Sequence, residues 1–299
     1  MRGRRPLAVL SLNTCLLPTH LRWIFRAHRG VESLRAATAR IAHALAAADA
    51  ASPVDVLHLQ EVFVPASLDE LAAALRPLGF VHASAHARCG LATLSKHALT
   101  PLELRESPRP PFTPKGWAAL LVRAPGLGAE VHVNCHFASE IDGSHTARLA
   151  QARDVGDWVR AHSLAQAARA GRAAGAAIVE RVLVVGDLNE PDGAGAAQLC
   201  TALGAVPLAP AGRRAGAAGG AHADDTYSWL GGLVRARLDR AFIFELRGCA
   251  RPGAGRGWTA GEPTGAGRAL GVELAGVVLR GLGDVSDHLP LRVVSGLPA

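Results

Sequence analysis

Short apolar runs that end abruptly in polar residues dominate the hydrophobic pattern of this chain. Residues 7–12 precede Asn13, residues 54–59 precede Gln60 and Glu61, and residues 182–185 precede Gly186 and Asp187. Continuous runs of this length are typical of strands buried on both faces, although a buried helical segment has the same pattern. As strands, they would bring their polar ends together along one rim.

The rest of the pattern predicts more strands than helices. Strand-like segments lie at residues 90–95, 116–123, 130–137, 237–244, 272–279 and 291–294, and helical periodicity covers residues 31–50, 66–75, 146–170 and 194–203. Stretches rich in Gly, Ala and Arg at residues 167–177, 205–221 and 251–268 are typical of flexible loops. None of them divides the chain, so we predict a single domain over residues 1–299, with flexible loops near 205–221 and 251–268.

Composition and charge narrow the class of protein and of partner. Of the 299 residues, 49% are apolar and 4% are aromatic, which indicates a globular protein whose core relies on Leu, Val and Ala. The net charge of +7 favours polyanions such as nucleic acid, acidic membrane surfaces or phosphorylated small molecules, although solubility alone also explains it. The five cysteines lack zinc-ligand spacing and are expected to be reduced.

Signals for export or membrane insertion are weak in this sequence. The apolar run at residues 7–12 is too short for the core of a signal peptide, and no stretch approaches the ~20 apolar residues of a membrane span. We therefore expect an intracellular protein that is soluble or peripherally bound to a membrane.

Asp187 and Asn189 lie two residues apart directly after a predicted strand. Residues two apart in an extended segment point to the same side, so both side chains can address one phosphate or one metal ion. An Asx turn that closes the strand is the alternative for an isolated Gly-Asp-x-Asn sequence. The pair is a candidate site that needs support from the rest of the chain.

Glu61 is the candidate metal ligand. It closes a buried strand, where a carboxylate is costly without a cation, and Mg²⁺ needs only one or two carboxylates beside water and phosphate oxygens. A salt bridge to one of the many arginines is the alternative. Asn13 ends the first strand, and His136 ends another, where it either donates to a phosphate oxygen or is a satisfied core histidine.

The Ser286-Asp287-His288 sequence contains the candidate general base. Histidine is the side chain best suited to removing a proton from water near neutral pH, although a surface turn explains the tripeptide equally well. Asp239 lies early in another predicted strand, and a carboxylate that accepts a hydrogen bond from His288 would raise the basicity of the imidazole. Pairing of Asp239 with a neighbouring arginine is the alternative.

Taken in order, these polar elements resemble the signature of the endonuclease/exonuclease/phosphatase superfamily. The series comprises Asn13, Gln60-Glu61, His136, Gly186-Asp187-Leu188-Asn189, Leu238-Asp239 and Ser286-Asp287-His288. It covers nearly the whole chain, and six weak elements in the right order support one another. The resemblance implies metal dependence and an α/β fold, a four-layer sandwich of two packed mixed β-sheets flanked by helices, as in deoxyribonuclease I.

Within the superfamily, the chain is similar to neutral sphingomyelinases. Matching phrases lie at residues 12–18, 59–63, 114–116 and 286–290, and at Arg148, Gln151 and Trp158 on a predicted helix. The similarity implies a sphingomyelin phosphodiesterase that releases phosphocholine and ceramide. The acidic residue that those enzymes carry shortly before the lysine has no counterpart before Lys115, where position 110 is a proline. A switch that uses such an acid–lysine pair is therefore not expected.

The resemblance also implies which residues bind the metal ion and which residue is the general base. Glu61, helped by Asn13, binds Mg²⁺, with Mn²⁺ as the alternative ion. His288, oriented by Asp239, deprotonates the attacking water. Asp287 either touches the metal region or braces its neighbour.

Further roles implied by the resemblance concern the substrate phosphate. Asp187 and Asn189 position the water and the phosphate, while His136 and Lys115 offset negative charge that develops on the phosphoryl oxygens. Tyr227 and Trp229 lie in a segment that resembles the aromatic-containing segment shaping the substrate site, and core packing is the alternative for both.

The partner implied is a phospholipid substrate at a membrane surface. Residues 16–29 mix apolar side chains with arginines, which suits either an interfacial contact with anionic lipid or a covered loop. Three other functions compete: a DNA endonuclease or exonuclease that uses the same centre and the net positive charge, a non-catalytic scaffold with the same fold, and a phosphatase of inositol phosphates or other small phosphoesters.

Overall fold

A computed structural model describes the chain in segments. Backbone and side chains are described for residues 7–17, 33–107, 114–125, 129–139, 144–162, 179, 181–190 and 194–204. The backbone alone is described for residues 128, 163–170, 180, 227–229, 234–236, 239–245, 272–274 and 291–295.

The described segments contain both strands and helices. The strands are β1 (Leu7–Asn13), β2 (Val56–Gln60), β3 (His82–His86), β4 (Leu91–Ser95), β5 (Ala98–Glu106), β6 (Gly116–Ala124), β7 (Gly128–His136), β8 (Val179–Asp187), β9 (Tyr227–Trp229), β10 (Val234–Ala236), β11 (Asp239–Glu245), β12 (Val272–Leu274) and β13 (Leu291–Ser295). The α-helices are α1 (Leu34–Ala51), α2 (Pro65–Leu75), α3 (His145–Ala170) and α4 (Ala194–Leu203). Helix α1 begins where the Ser33 hydroxyl accepts a hydrogen bond from the amide of Ala36, and α2 begins at a proline, which needs no amide partner there.

The strands form two large mixed sheets. One has the order β12-β13-β1-β2-β4-β3 and the other the order β11-β8-β7-β6-β5, while β9 and β10 form a small hairpin-like pair. Among the described strands, one neighbouring pair in each large sheet is parallel: β1 with β2, where Asn13 faces Gln60, and β7 with β8, where His136 faces Asp187. Each sheet therefore brings the carboxyl ends of two central strands to one edge.

Three apolar clusters show how the layers pack. Helices α1 and α2 cover the outer face of the first sheet, and α3 and α4 cover the outer face of the second. A third cluster, which includes Val9 and Val56 of the first sheet and Leu183 and Val185 of the second, lies between the sheets. The result is the predicted four-layer sandwich of two mixed sheets flanked by helices. Within the described segments, no helix is long and apolar enough to cross a membrane.

The sequence pattern missed the short strands β9 and β10 and two strands of the large sheets, β3 and β5. Among the described strands, β3 and β5 are each the last in their sheet and pair on one side only. Neither is fully buried along its length, and β5 contains Pro101 at a break in its pairing with β6. Edge strands tolerate proline and charged side chains, so they lack the continuous apolar runs that identified the central strands.

A buried polar seam joins the two sheets below the rim. His58 of β2 contacts both Thr93 Oγ1, through Nδ1, and His132 Nδ1 of β7, through Nε2, each at 3.0 Å. Gln60 donates to Asn134 Oδ1 of β7 at 2.7 Å. Burial and the neighbouring His132 lower the pKa of His58 well below its usual value, so the seam requires a neutral imidazole.

The buried seam makes the free energy of unfolding depend on pH. The unfolded chain binds a proton at His58 near pH 6.5 and the folded chain does not, so the free energy of unfolding falls as pH drops below about 6.5, by up to about 1.4 kcal/mol per pH unit. Replacing His58 by Gln should therefore reduce the drop in Tm between pH 7.5 and pH 5. The exposed His43, changed to Gln, is the control. An equal drop in Tm for wild type and His58→Gln would contradict this expectation.

Candidate active site

The carboxyl ends of β1, β2, β7 and β8 bring together polar side chains from both sheets. Asn13 ends β1, Glu61 directly follows β2, His136 ends β7 and Asp187 ends β8. A hydrogen bond of 3.0 Å from Asn13 Nδ2 to Asp187 Oδ2 crosses from one sheet to the other. The predicted rim is confirmed for these residues, and it lies where the two sheets meet.

Asp187 is the hub of this rim. Its side chain is buried, with 1% of the residue exposed, and its two oxygens accept from different partners: Oδ2 from Asn13 and Oδ1 from the amide of Asn189 at 2.8 Å. The second bond is the Asx turn that the sequence offered as the alternative to a site. The turn and the site coexist, because the turn fixes Oδ1 and thereby aims Oδ2 at the partner sheet.

Backbone geometry around Asp187 depends on its neighbours. Gly186 has a φ of 141°, and a Cβ there would lie 2.1 Å from the carbonyl oxygen of Cys135, so only glycine fits. Asn189 adopts a φ of 51°, a left-handed conformation that asparagine tolerates better than most residues. Its side chain donates through Nδ2 to the carbonyl oxygen of Phe137 at 2.9 Å, which ties the loop after β8 to the loop after β7.

Glu61 lies at the mouth of the site in a strained conformation. Its φ of 61° is unusual for a residue that is neither glycine, asparagine nor aspartate, and such strain concentrates at functional positions. The groups placed beside its Oε1 are the ammonium of Lys115, with Nζ at 3.8 Å, and the imidazole of His136, with Nε2 at 3.6 Å. The sequence left open a salt bridge between Glu61 and an arginine. The described neighbours of its Oε1 are instead a lysine and a histidine, and both belong to the candidate site.

His136 and Lys115 form a buried pair at the centre of the site. Lys115 Nζ lies 2.6 Å from His136 Nε2, and the two residues are 3% and 0% exposed. Because a lysine ammonium only donates, Nε2 accepts, and the proton of a neutral ring is assigned to Nδ1. The same Nε2 lies 3.8 Å from Asp187 Oδ2. One ring nitrogen therefore has two carboxylates and one ammonium within 4 Å.

The remaining predicted site residues are described in part or not at all. The backbone of Asp239 pairs with that of Asp187 in the β11–β8 ladder, so it reaches the same rim. The backbones of Tyr227 and Trp229 lie in β9, and the side chains of all three residues are outside the described part. Asp287 and His288 lie outside the described residues altogether, and their roles remain predictions.

Part of the proposed membrane-contact segment is described. Leu16 and Leu17 are buried, at 0% and 5% exposed, and Leu16 packs in the core under α1 and α2. For these two residues the structure agrees with the covered-loop interpretation. Residues 18–32 lie outside the described part of the chain.

A cluster behind the rim was not assigned a role from the sequence. Glu190 accepts from Arg148 Nε at 2.5 Å and contacts His145 Nδ1 at 2.9 Å. Hydrogen bonds to Glu190 and Gln198 raise the pKa of His145, and although burial opposes ionisation of Glu190, its hydrogen bonds from His145 and Arg148 lower its pKa. Arg148 stood out in the sequence through the family resemblance alone, while nothing local marked Glu190.

The match to known families covers most of the chain. The model of the Endonuclease/Exonuclease/phosphatase family matches residues 12–288, from the end of β1 to the last residue of the Ser-Asp-His sequence. This chain belongs to the endonuclease/exonuclease/phosphatase family. Members of the family are hydrolases that act on phosphodiester bonds. No curated protein matches the chain.

Solved structures of the same fold match this chain over almost its entire length. Sphingomyelinase C from Streptomyces griseocarneus is 19% identical, with a TM-score of 0.59 over 98% of this chain and 100% of that one. A beta toxin mutant from Staphylococcus aureus with bound magnesium ions is 15% identical, with a TM-score of 0.63 over 97% and 99%. TDP2 from D. rerio, complexed with a single-strand DNA product, is 17% identical, with a TM-score of 0.57 over 97% and 99%. These likenesses show the fold of the family member.

Proposed function

We propose that this family member is a Mg²⁺-dependent phosphodiesterase that hydrolyses sphingomyelin to phosphocholine and ceramide. The observation that carries the proposal is the grouping of Glu61 and Asp187 within 4 Å of His136 Nε2, with Lys115 beside them. Carboxylates, a histidine and a lysine at one rim suit the binding of a metal ion and a phosphate. The sequence phrases shared with neutral sphingomyelinases and the similar fold of a bacterial sphingomyelinase support the choice of substrate.

The donor set of the rim fits Mg²⁺. Among the described residues no group of three or more His, Cys, Asp and Glu side chains forms a complete metal cage. Mg²⁺ does not need one, because it is held by one or two carboxylates and keeps waters and substrate oxygens as its other ligands. Glu61, with Asn13 as a further oxygen donor, would hold it, and Mn²⁺ uses the same ligands. When bound, the ion polarises the phosphate and stabilises the leaving oxygen.

The residues of the chain supply the remaining chemistry. Asp187 and Asn189 position the attacking water and the phosphate from a loop that the Asx turn holds rigid. Lys115 and His136 lie deep in the rim, where a cationic or donor group offsets charge on phosphoryl oxygens more strongly than in water. His288 remains the proposed base: it takes a proton from water as the water oxygen bonds to phosphorus and the bond from phosphorus to the ceramide oxygen breaks.

A nucleic-acid phosphodiesterase is the second candidate. The net charge of +7 favours a DNA backbone, and the fold also matches TDP2 in complex with a single-strand DNA product. The same rim residues would then act on a different phosphodiester. The two candidates differ in substrate and not in the site.

Parallel assays decide between the two substrates. Phosphocholine release from sphingomyelin vesicles and nicking of abasic duplex DNA are measured with Mg²⁺ and with EDTA, using His288→Ala as the catalytic control for both. Mg²⁺-dependent phosphocholine release that His288→Ala abolishes is the expected result. DNA nicking with a steep dependence on salt, and no phosphocholine release, would show that the protein is a nuclease that uses the same site.

A further inference from the structure

Helix α3 holds both loops that carry the rim residues. Arg148 Nη1 donates to the carbonyl oxygen of Ala138 at 3.4 Å, and the amide of Ala138 donates to Gln151 Oε1 at 2.9 Å. Arg148 and Gln151 are three residues apart and therefore lie on one face of the helix. That face fixes the loop after β7, which begins one residue beyond His136.

The same face also fixes the loop after β8. Glu190, the residue after Asn189, is 5% exposed, and its Oε2 accepts from Arg148 Nε at 2.5 Å. Arg148 is itself 4% exposed. His145, one turn earlier on α3, lies with Nδ1 2.9 Å from the same Oε2 and with Nε2 2.8 Å from Gln198 Oε1 of α4. One buried guanidinium thus bridges two catalytic loops.

A buried ion pair is weak evidence for a gain in stability, because desolvation of both charges offsets most of their attraction. Its place in this fold suggests a different use. Asn189 is in the left-handed region and its side chain donates through Nδ2 to Phe137 O of the other loop, so its position depends on how the two loops are held together. Glu190 directly follows Asn189, and the Ala138 carbonyl that Arg148 also contacts lies two residues after His136.

We propose that Arg148 and Glu190 are positioning residues for Asn189, holding the loops after β7 and β8 in the spacing that hydrolysis requires. The kinetic consequence rests on the proposed phosphodiesterase function, while the structural consequence does not. A displacement of about 1 Å of a positioned group can lower a rate by about 100-fold. Disturbing the pair should therefore change kcat far more than it changes KM.

Gly195 offers a way to disturb the pair without removing a charge. A Cβ at this position of α4 would lie 2.0 Å from Glu190 Oε1, so Gly195→Ala must push the carboxylate away from its present place. Alanine is a better helix former than glycine, which offsets part of the cost of displacing the buried carboxylate. Ala197→Gly, an exposed position on the same helix, is the reverse control and should lower Tm without lowering kcat.

The test uses the full-length protein, Mg²⁺ and bis(p-nitrophenyl) phosphate. Gly195→Ala should lower kcat about 10-fold or more, with KM within about threefold of wild type. Glu190→Gln, which keeps the shape and removes the charge, should lower kcat in the same way. A kcat within twofold of wild type in both variants overturns the proposal while leaving the function in place.

A structural readout separates the two failures. If wild type hydrolyses no phosphodiester, the proposed function fails, and crystal structures of wild type and Gly195→Ala decide the positioning claim alone. Loss of the hydrogen bond from Asn189 Nδ2 to Phe137 O in the variant supports the proposal. Its retention with Glu190 displaced contradicts it.

Discussion

Replacing Glu61 by Gln should lower phosphodiester hydrolysis at limiting Mg²⁺ by about 100-fold or more, with partial recovery as Mg²⁺ is raised. The variant removes the charge of the proposed metal ligand but keeps the side chain's length and adds no new backbone strain at the left-handed φ of 61°. The Glu61 carboxylate lies within 4 Å of Lys115 Nζ and His136 Nε2, so the substitution also removes one negative charge from beside these two groups. The measurement is initial rate against Mg²⁺ concentration.

Glu70→Gln is the matched control for this measurement. Glu70 is an exposed residue of α2 whose closest described partner is Arg35 at 3.7 Å, and exposed pairs of this kind contribute little to stability. The control should give the wild-type Mg²⁺ dependence. A Glu61→Gln curve that superimposes on the wild-type curve would remove Glu61 from the metal site.

Replacing Asp187 by Asn should lower kcat by about 10²- to 10⁴-fold, and raising Mg²⁺ should not restore it. Asp187 accepts with both oxygens, from Asn13 Nδ2 and from the amide of Asn189. An asparagine has one acceptor oxygen, so its own NH₂ group must face one of these donors. Leaving a buried donor unsatisfied costs about 1–3 kcal/mol, so Tm should fall as well.

The lack of rescue by Mg²⁺ distinguishes Asp187 from Glu61. A residue that positions water and phosphate acts on the rate at any metal occupancy, whereas a metal ligand acts on occupancy itself. Asp157→Asn, an exposed residue of α3 paired with Arg160, controls for the loss of a charge elsewhere. If Asp187→Asn keeps kcat within threefold of wild type, the hub of the rim has no catalytic role.

The sequence predicted the rim well because its strands are buried on both faces. The runs before Asn13, Glu61 and Asp187 are mostly apolar, and each ends at or next to the residue where its strand ends. Asp187 and Asn189 do lie together, and the Asx turn that the sequence offered as an alternative is part of the site. A local pattern suffices where the polarity of the sequence changes abruptly at the end of a strand.

Other features depend on contacts between distant residues and left little trace in the pattern. Lys115 drew attention only through the family resemblance, and its 2.6 Å approach to His136 Nε2 follows from the pairing of β6 with β7. Glu190 and Arg148 are 42 residues apart and meet because α3 packs over the second sheet. The left-handed φ of Glu61 could not be predicted, since nothing in its side chain favours that conformation.

The most direct measurement is hydrolysis of bis(p-nitrophenyl) phosphate by the purified wild-type protein in Mg²⁺ and in EDTA, because this substrate favours neither lipid nor nucleic acid. We expect p-nitrophenol release in Mg²⁺ that EDTA abolishes and that excess Mg²⁺ restores. Equal rates in Mg²⁺ and EDTA, or no release above the protein-free control in either, would contradict a Mg²⁺-dependent phosphodiesterase centred on Glu61, His136 and Asp187.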